Sequence, residues 1–428
     1  MNNDPELIEF YEGVCSEQDY TGIYPIQGTS LSHNNQQVNV YRFLAGWDFK
    51  VEVLIGSYYN DGVVNNLLKF EVGDYMPKIW LDITNSPHVV LYNPIIKMMK
   101  ERGYEVTVTA REYAQTMGLL ELFKIDHVMI GHHRGKNKLK KLMGWFRRSN
   151  DLYHFAKDKG FDAAVSMGSQ DMMLAARRLS IPHMTLFDYE YSQGHHISFR
   201  LSKLILSPEG VPREQLNKMG ARDKVVFYPG LKEQFYIHYY LEQYKQKYGD
   251  TNPFKEMLGL DDDRVVIVMR PEATQAHYQT NENSLSFDIV EYLDNHKAKP
   301  VIVVLPRVES QKQEYAARGY KNVIIPDKVI NGIELIASCD LVIGAGGTIN
   351  REAAAVGTPV YTIYQGGEMC AVDKRLIAEG RMVNIRSADE FGLINIRKRS
   401  APPACIGEGL SELYLDMVGK LAAHGKRK

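Results

Sequence analysis

A buried run, a glycine turn, a helix and a second buried run follow one another without interruption between Leu341 and Tyr361. That order suits a parallel sheet with a ligand held at the turn. Gly344, Gly346 and Gly347 allow the backbone to turn sharply and let a phosphate approach the amides that open the helix. Thr348 is placed to cap that helix or to donate to a phosphate oxygen. Glu352 follows one turn later on the same face, where a carboxylate suits the two hydroxyls of a ribose. Gly357 and Pro359 then end the helix and open the next strand.

The same grammar extends over most of the chain. Strands are expected at Lys78–Ile83, Glu105–Thr109, His127–Ile130, Ala163–Ser166, His183–Phe187 and Leu204–Leu206, with helices at Leu91–Arg102, Glu112–Phe123, Asp151–Lys159 and Asp171–Leu179. A second series runs through Arg264–Met269, Val301–Leu305, Val323–Ile325, Leu341–Ile343 and Val360–Ile363. Strands alternating with helices imply parallel sheets with right-handed crossovers. The fold class is therefore α/β, with two Rossmann-like doubly wound domains facing a cleft. Residues 76–230 form the first domain and 231–428 the second, divided between Phe227 and Asp250; a helix at Glu233–Tyr248 opens the second and another at Ser411–Ala423 closes it. Residues 1–75 differ, with the Asn34–Gln37 cluster, several tyrosines and the alternation Phe49–Ile55. They read either as a small β-rich appendage or as an extension ahead of a natural start at Met76, in which case the core is expected to fold without them.

Three segments carry a family resemblance: Lys78–Val90 (KIWLDITNSPHV, Lys78 to Val89, and the following valine), Arg270–Ala273 (RPEA) and Gly344–Glu352 (GAGGTINRE). From Met76 onward the chain is similar to the DUF354 family of archaea and bacteria. The glycine-turn half also resembles the nucleotide-sugar half of GT-B proteins such as the lipid II synthase glycosyltransferase and the non-hydrolysing UDP-N-acetylglucosamine 2-epimerase. The resemblance implies a GT-B-like fold, a nucleotide-sugar ligand, a UDP-sugar foremost, with Glu352 on its ribose, and a C-terminal helix crossing back to the first domain. A sugar or lipid-linked acceptor would complete the reaction.

Ligands of open parallel sheets bind beyond the carboxyl ends of the strands, so the residues just after each strand are the candidates. After the first strand come Asn85, Ser86 and His88, whose imidazole titrates near neutral pH and suits a general acid or base; the plain alternative is a helix-capping or carbonyl-bonding role. Asp188 and Glu190 follow the strand His183–Phe187 and offer paired carboxylates for acid–base work, while Asp171 reads as a helix N-cap. Arg270 ends the first strand of the second series, where its fork matches a diphosphate; a surface pair with Glu272 is the alternative, and Arg307 repeats the idea more weakly. Gly366 and Gly367 would close the pocket near the sugar. His132–His133 and His195–His196 lack metal-ligand spacing, and no metal or cofactor is expected.

Composition sets bounds on the rest. A net charge of −1 gives no global attraction to nucleic acid. Four dispersed cysteines without a C-x-x-C pair, no spanning apolar run and no signal-like N-terminus point to a cytoplasmic setting. The basic run Arg134–Arg148, interleaved with Leu142, Met143, Trp145 and Phe146, suits either a membrane surface or an ordinary solvated helix. No G-x-G-x-x-G follows the first strand of either series, which argues against a dehydrogenase. The readings left are a metal-independent GT-B glycosyltransferase, a nucleotide-sugar 2-epimerase-like enzyme, and a nucleotide-sugar-binding protein without catalysis.

Overall fold

The computed structural model describes residues 24–33, 36–45, 50–59, 62–64, 76–113, 115–132, 138–249, 253–254, 258–259, 263–272, 285–327 and 330–425. Two compact units are distinguished, one holding the N-terminal strands and the other both parallel sheets. In the first unit, β1 (Tyr24–His33), β2 (Gln36–Ala45), β3 (Lys50–Tyr59) and β4 (Gly62–Val64) form an antiparallel meander. The alternation noted at Phe49–Ile55 falls on β3, with Leu54 opposite Tyr41 and Val53 opposite Arg42.

The second unit contains a seven-stranded and a six-stranded sheet. The seven-stranded sheet is built from β5 (Lys78–Ile83), β6 (Glu105–Glu112), β7 (Val128–His132), β8 (Ala163–Ser166), β9 (His183–Leu186), β10 (Leu204–Pro208) and β11 (Val225–Tyr228). Its spatial order is β11-β10-β9-β8-β5-β6-β7. Strand order reverses between β5 and β8, which run parallel with Ile79 opposite Ala163. The six-stranded sheet uses β12 (Val266–Arg270), β13 (Val301–Val304), β14 (Val323–Ile324), β15 (Leu341–Gly344), β16 (Val360–Thr362) and β17 (Val383–Asn384) in the order β14-β13-β12-β15-β16-β17. Here the reversal lies between β12 and β15, with Arg270 opposite Gly344. At each reversal the neighbouring loops leave in opposite directions and open a crevice, so the topology itself marks the ends of β5, β8, β12 and β15 as ligand positions.

Helices cover both sheets, which is why the central strands read as continuous apolar runs. Ile79, Trp80, Leu81 and Ile83 of β5 are all fully buried. Trp80 stacks on Phe161 at 5.6 Å and donates its indole N–H to Thr109. The C-terminal helix Ser411–Gly425 packs on β8 and β9 of the first sheet. Its Tyr414 meets Tyr92 of the helix after β5 edge-on at 6.2 Å.

Several local expectations shift. The helix expected at Glu112–Phe123 starts only at Thr116 because β6 continues to Glu112. The one expected at Asp151–Lys159 is the end of a longer helix, Lys138–Ala156, which takes in much of the basic run. The short strands β11 and β17 were not anticipated, since two to four residues at a sheet edge carry no usable periodicity.

Candidate functional site

A cavity of about 340 Å³ lies where the two crevices meet. Asn85 and Asp188 contribute to it from the loops after β5 and β9, His88 from the first turn of the helix after β5, and Gly347, Thr348 and Arg351 from the helix after β15. Lys232 lines it from the connection between the sheets.

The glycine turn is built differently from the sequence expectation. The helix is Gly347–Val356 and its N-cap is Gly346, with no side-chain cap, so Thr348 sits inside the first turn and faces the cavity rather than capping. Gly346 has an extended backbone (φ −132, ψ 147), so a sharp left-handed turn is not the reason for glycine there. Space is. A Cβ on Gly346 would lie 2.5 Å from a terminal nitrogen of Arg307, and one on Gly347 would strike the Arg351 guanidinium. Two guanidinium groups therefore come up against the glycine turn.

Arg270 and Arg307 do not pair with carboxylates among the described residues. Arg270 donates to the carbonyls of Leu305 (2.8 Å) and Pro306 (3.2 Å), not to Glu272, and Arg307 Nε donates to the carbonyl of Pro271. Burial, then the charge of Arg307, pulls the Arg270 pKa down to about 9. Burial lowers that of Arg307 as well. Glu352 opposes the shift at Arg270 and Tyr113 and Glu272 oppose it at Arg307, so two buried guanidinium groups beside a helix N-terminus are only partly compensated.

Arg351, which the sequence did not single out, organises the cavity wall. Its Nη2 meets Asp188 Oδ2 at 2.7 Å, its Nη1 meets Asp373 at 3.0 Å and its Nε meets Glu233 at 3.4 Å. Lys232 Nζ also binds Asp188 Oδ2 at 2.7 Å. Burial alone would raise the Asp188 pKa, but Lys232 and Arg351 hold its carboxyl well below the usual range. Asp188 is thus a fixed anion in an ion-pair network. Glu190 does not join it as a paired acid: its Oε1 accepts from the Ala371 amide at 2.7 Å, at the start of the helix Ala371–Ala378, and burial raises its pKa.

Glu352 lies on neither a solvated face nor the cavity wall. It is 8% exposed, and its Oε1 accepts from the Tyr236 hydroxyl at 2.9 Å. Burial first and Glu233 second push its pKa up to about 7, from 4.5. Between those values the folded protein keeps a proton that the unfolded chain releases, so rising pH costs stability. Glu352→Gln, which keeps the acceptor for Tyr236, is expected to gain about 2–3 kcal/mol over wild type at pH 8 and nothing near pH 4. Urea unfolding at the two pH values measures this; equal gains at both would remove the buried ionisation as the cause.

His88 faces the cavity, with Nδ1 3.3 Å from the Thr84 hydroxyl. Burial, then Lys232, lowers its pKa to about 3, so at neutral pH the imidazole is uncharged. Asn85 accepts from the Ser86 amide at the start of the helix Ser86–Glu101, and Ser86 itself turns to Thr116 instead of the cavity. Gly366 and Gly367 line a neighbouring cavity of about 460 Å³ that shares Tyr364 and Met369 with the first.

Other candidates have structural partners. Asp171 is not an N-cap; Ser169 is, and Asp171 joins Arg148 and Asp82 in a buried cluster beneath β5. Arg148 is accordingly removed from the cationic face of its helix, and a Cβ on Gly131 would lie 2.9 Å from its Cδ. His195 Nε2 donates to the Tyr189 carbonyl at 2.7 Å, and its ring stacks on Phe199. Among the described residues no group of His, Cys, Asp and Glu is arranged for a metal ion. His133 and Arg134–Asn137, along with Ala273 and Thr274, lie outside the described residues.

Solved structures place this arrangement among known folds. The UDP-GlcNAc 2-epimerase from Methanocaldococcus jannaschii, in complex with UDP-GlcNAc and UDP, superposes with a TM-score of 0.62 at 14% identity, over 80% of this chain and 99% of that one. The UDP-GlcNAc 2-epimerase from Neisseria meningitidis bound to UDP-GlcNAc gives 0.60 at 14% identity, over 80% and 100%. The two-sheet fold is GT-B-like. In sequence, the "Uncharacterized protein MJ0665" of Methanocaldococcus jannaschii is 30% identical over 314 residues, which span 73% of this chain and 89% of that protein. With residues 77–418 matching the family described as "Protein of unknown function (DUF354)", the chain belongs to the DUF354 family.

Proposed function

We propose that this chain is a nucleotide-sugar-dependent enzyme, a metal-independent glycosyltransferase of GT-B type acting on a UDP-sugar or a related donor. The observation that carries this reading is the pair Arg270, on the strand opposite Gly344, and Arg307, whose guanidinium reaches Gly346, neither hydrogen-bonded to a carboxylate among the described residues. A diphosphate supplies the missing charge, and the amides that open the helix Gly347–Val356 supply further donors. Thr348 adds a hydroxyl from the cavity wall. Gly366 and Gly367 bound the space toward the sugar. Residues 231–428 would then be the nucleotide-binding half and 76–230 the acceptor half.

Transfer requires charge stabilisation on the departing diphosphate and a proton acceptor for the incoming hydroxyl. Arg270 and Arg307 meet the first need. His88 meets the second, because a dianionic ligand entering the cavity raises the pKa of a neutral buried imidazole. Epimerisation is the less favoured reading, since it asks acids and bases to exchange protons around the ring while Asp188 is held ionised and Glu190 is committed to a helix terminus.

The test is incubation with UDP-, GDP- and dTDP-sugars, with mass-spectrometric detection of released nucleoside diphosphate. At least one donor should be consumed, and His88→Ala should cut turnover about a hundredfold or more while leaving nucleotide affinity nearly unchanged. Equal loss of affinity and turnover in that variant would assign His88 to the nucleotide site and remove its chemical role.

A further inference from the structure

The helix Lys138–Ala156 has two unlike halves. Toward its C-terminus Arg148, Ser149, Leu152 and Ala156 are buried against the sheet, at the spacing of a core-facing stripe. Toward its N-terminus Met143 is 69% exposed and Phe146 53% exposed, so two large apolar side chains project where this helix has no core to meet. In the sequence, Leu139, Leu142, Met143 and Phe146 stand at the i, i+3, i+4, i+7 spacing of one helical stripe. Lys138, Lys140, Lys141 and Arg147 are interleaved with it, and no Asp or Glu occurs between Arg134 and Asn150. An apolar stripe among cations, with no acid to neutralise it, is the pattern that lies in an anionic lipid surface. A chain whose overall charge is −1 has no global attraction of this kind, so it must come from a local patch.

Topology adds a reason for the position. The helix leaves from the carboxyl end of β7, so its N-terminal half stands at the same rim of the sheet as the loops after β5 and β9 that line the cavity. We infer that Met143, Phe146 and Arg147, together with the basic stretch of sequence that precedes them, seat the protein on an anionic membrane surface, with the cavity rim toward the lipid. This surface is separate from the nucleotide site, and its test needs no nucleotide.

Full-length protein is sedimented with vesicles of phosphatidylcholine alone and with vesicles containing phosphatidylglycerol. Binding is expected to the anionic vesicles, at least about tenfold stronger than to the neutral ones, and to weaken as salt is raised. The double variant Met143→Glu, Phe146→Glu should lose the anionic binding while keeping the wild-type melting profile, since both side chains are exposed. Absence of binding to either vesicle, equal binding to both, or an unaffected double variant would overturn the inference. So would a variant whose only change is a shift from dimer to monomer in solution, because the stripe would then face a second copy of the chain.

Discussion

Arg351→Ala is expected to lower the free energy of unfolding by about 3–5 kcal/mol, the scale of breaking a buried ion pair from one side. One guanidinium serves Asp188, Glu233 and Asp373 together, and Asp188 and Glu233 are otherwise left with Lys232 alone. The pH dependence has a definite sign. Asp188 has its folded pKa depressed below 3.8, so the stability it lends is present above that value and disappears as pH falls through the folded pKa. The variant should therefore suffer most at neutral pH and approach wild type in acid. Arg351→Lys keeps the charge but not the fork, and should recover only part of the loss. Urea midpoints at pH 7 and in acid decide the matter: a loss of under about 1 kcal/mol at pH 7 would mean that the network is solvated and contributes little.

Much of the fold was legible because buried parallel strands are apolar runs separated by capped helices. The strands Lys78–Ile83 and Ala163–Ser166 appear at their expected limits. What escaped was the short edge strands and the full length of the helix through the basic run. The basic run has a helical apolar spacing, but Met143 and Phe146 are exposed, so it does not read as a continuation of the core-facing stripe, and the helix buries an arginine instead.

The site was legible in position but less so in its parts. Strand ends and the glycine turn pointed to the crevice where the cavity lies. Thr348 shares a helical face with both Arg351 and Glu352, at i+3 and i+4, and spacing alone does not choose between them. The cavity takes Arg351, while Glu352 turns to Tyr236. Lys232 and Glu233 were invisible because their importance comes from partners on other segments, Asp188 and Arg351, and no local pattern records such a meeting. Arg307 looked like a weaker copy of Arg270 and is in fact its like-charged neighbour. Adjacent acids in sequence were misleading for the opposite reason: Asp188 and Glu190 are two residues apart yet make contact with different segments, one with a guanidinium and the other with a helix terminus.

The central claim, that Arg270 and Arg307 await a diphosphate, is tested most directly by calorimetric titration of the wild-type chain and the Arg270→Gln, Arg307→Gln double variant with UDP, GDP and dTDP. Each charged hydrogen bond to phosphate is worth about 1.5–3 kcal/mol, so losing two should weaken binding by more than about a hundredfold. The variant also removes two buried charges, one of which, Arg307, depresses the pKa of the other, so it should unfold no more readily than wild type. The account predicts saturable binding of at least one diphosphate to the wild-type chain and its near disappearance in a folded double variant. Silence of all three diphosphates with folded wild-type protein, or undiminished affinity in the variant, would contradict it.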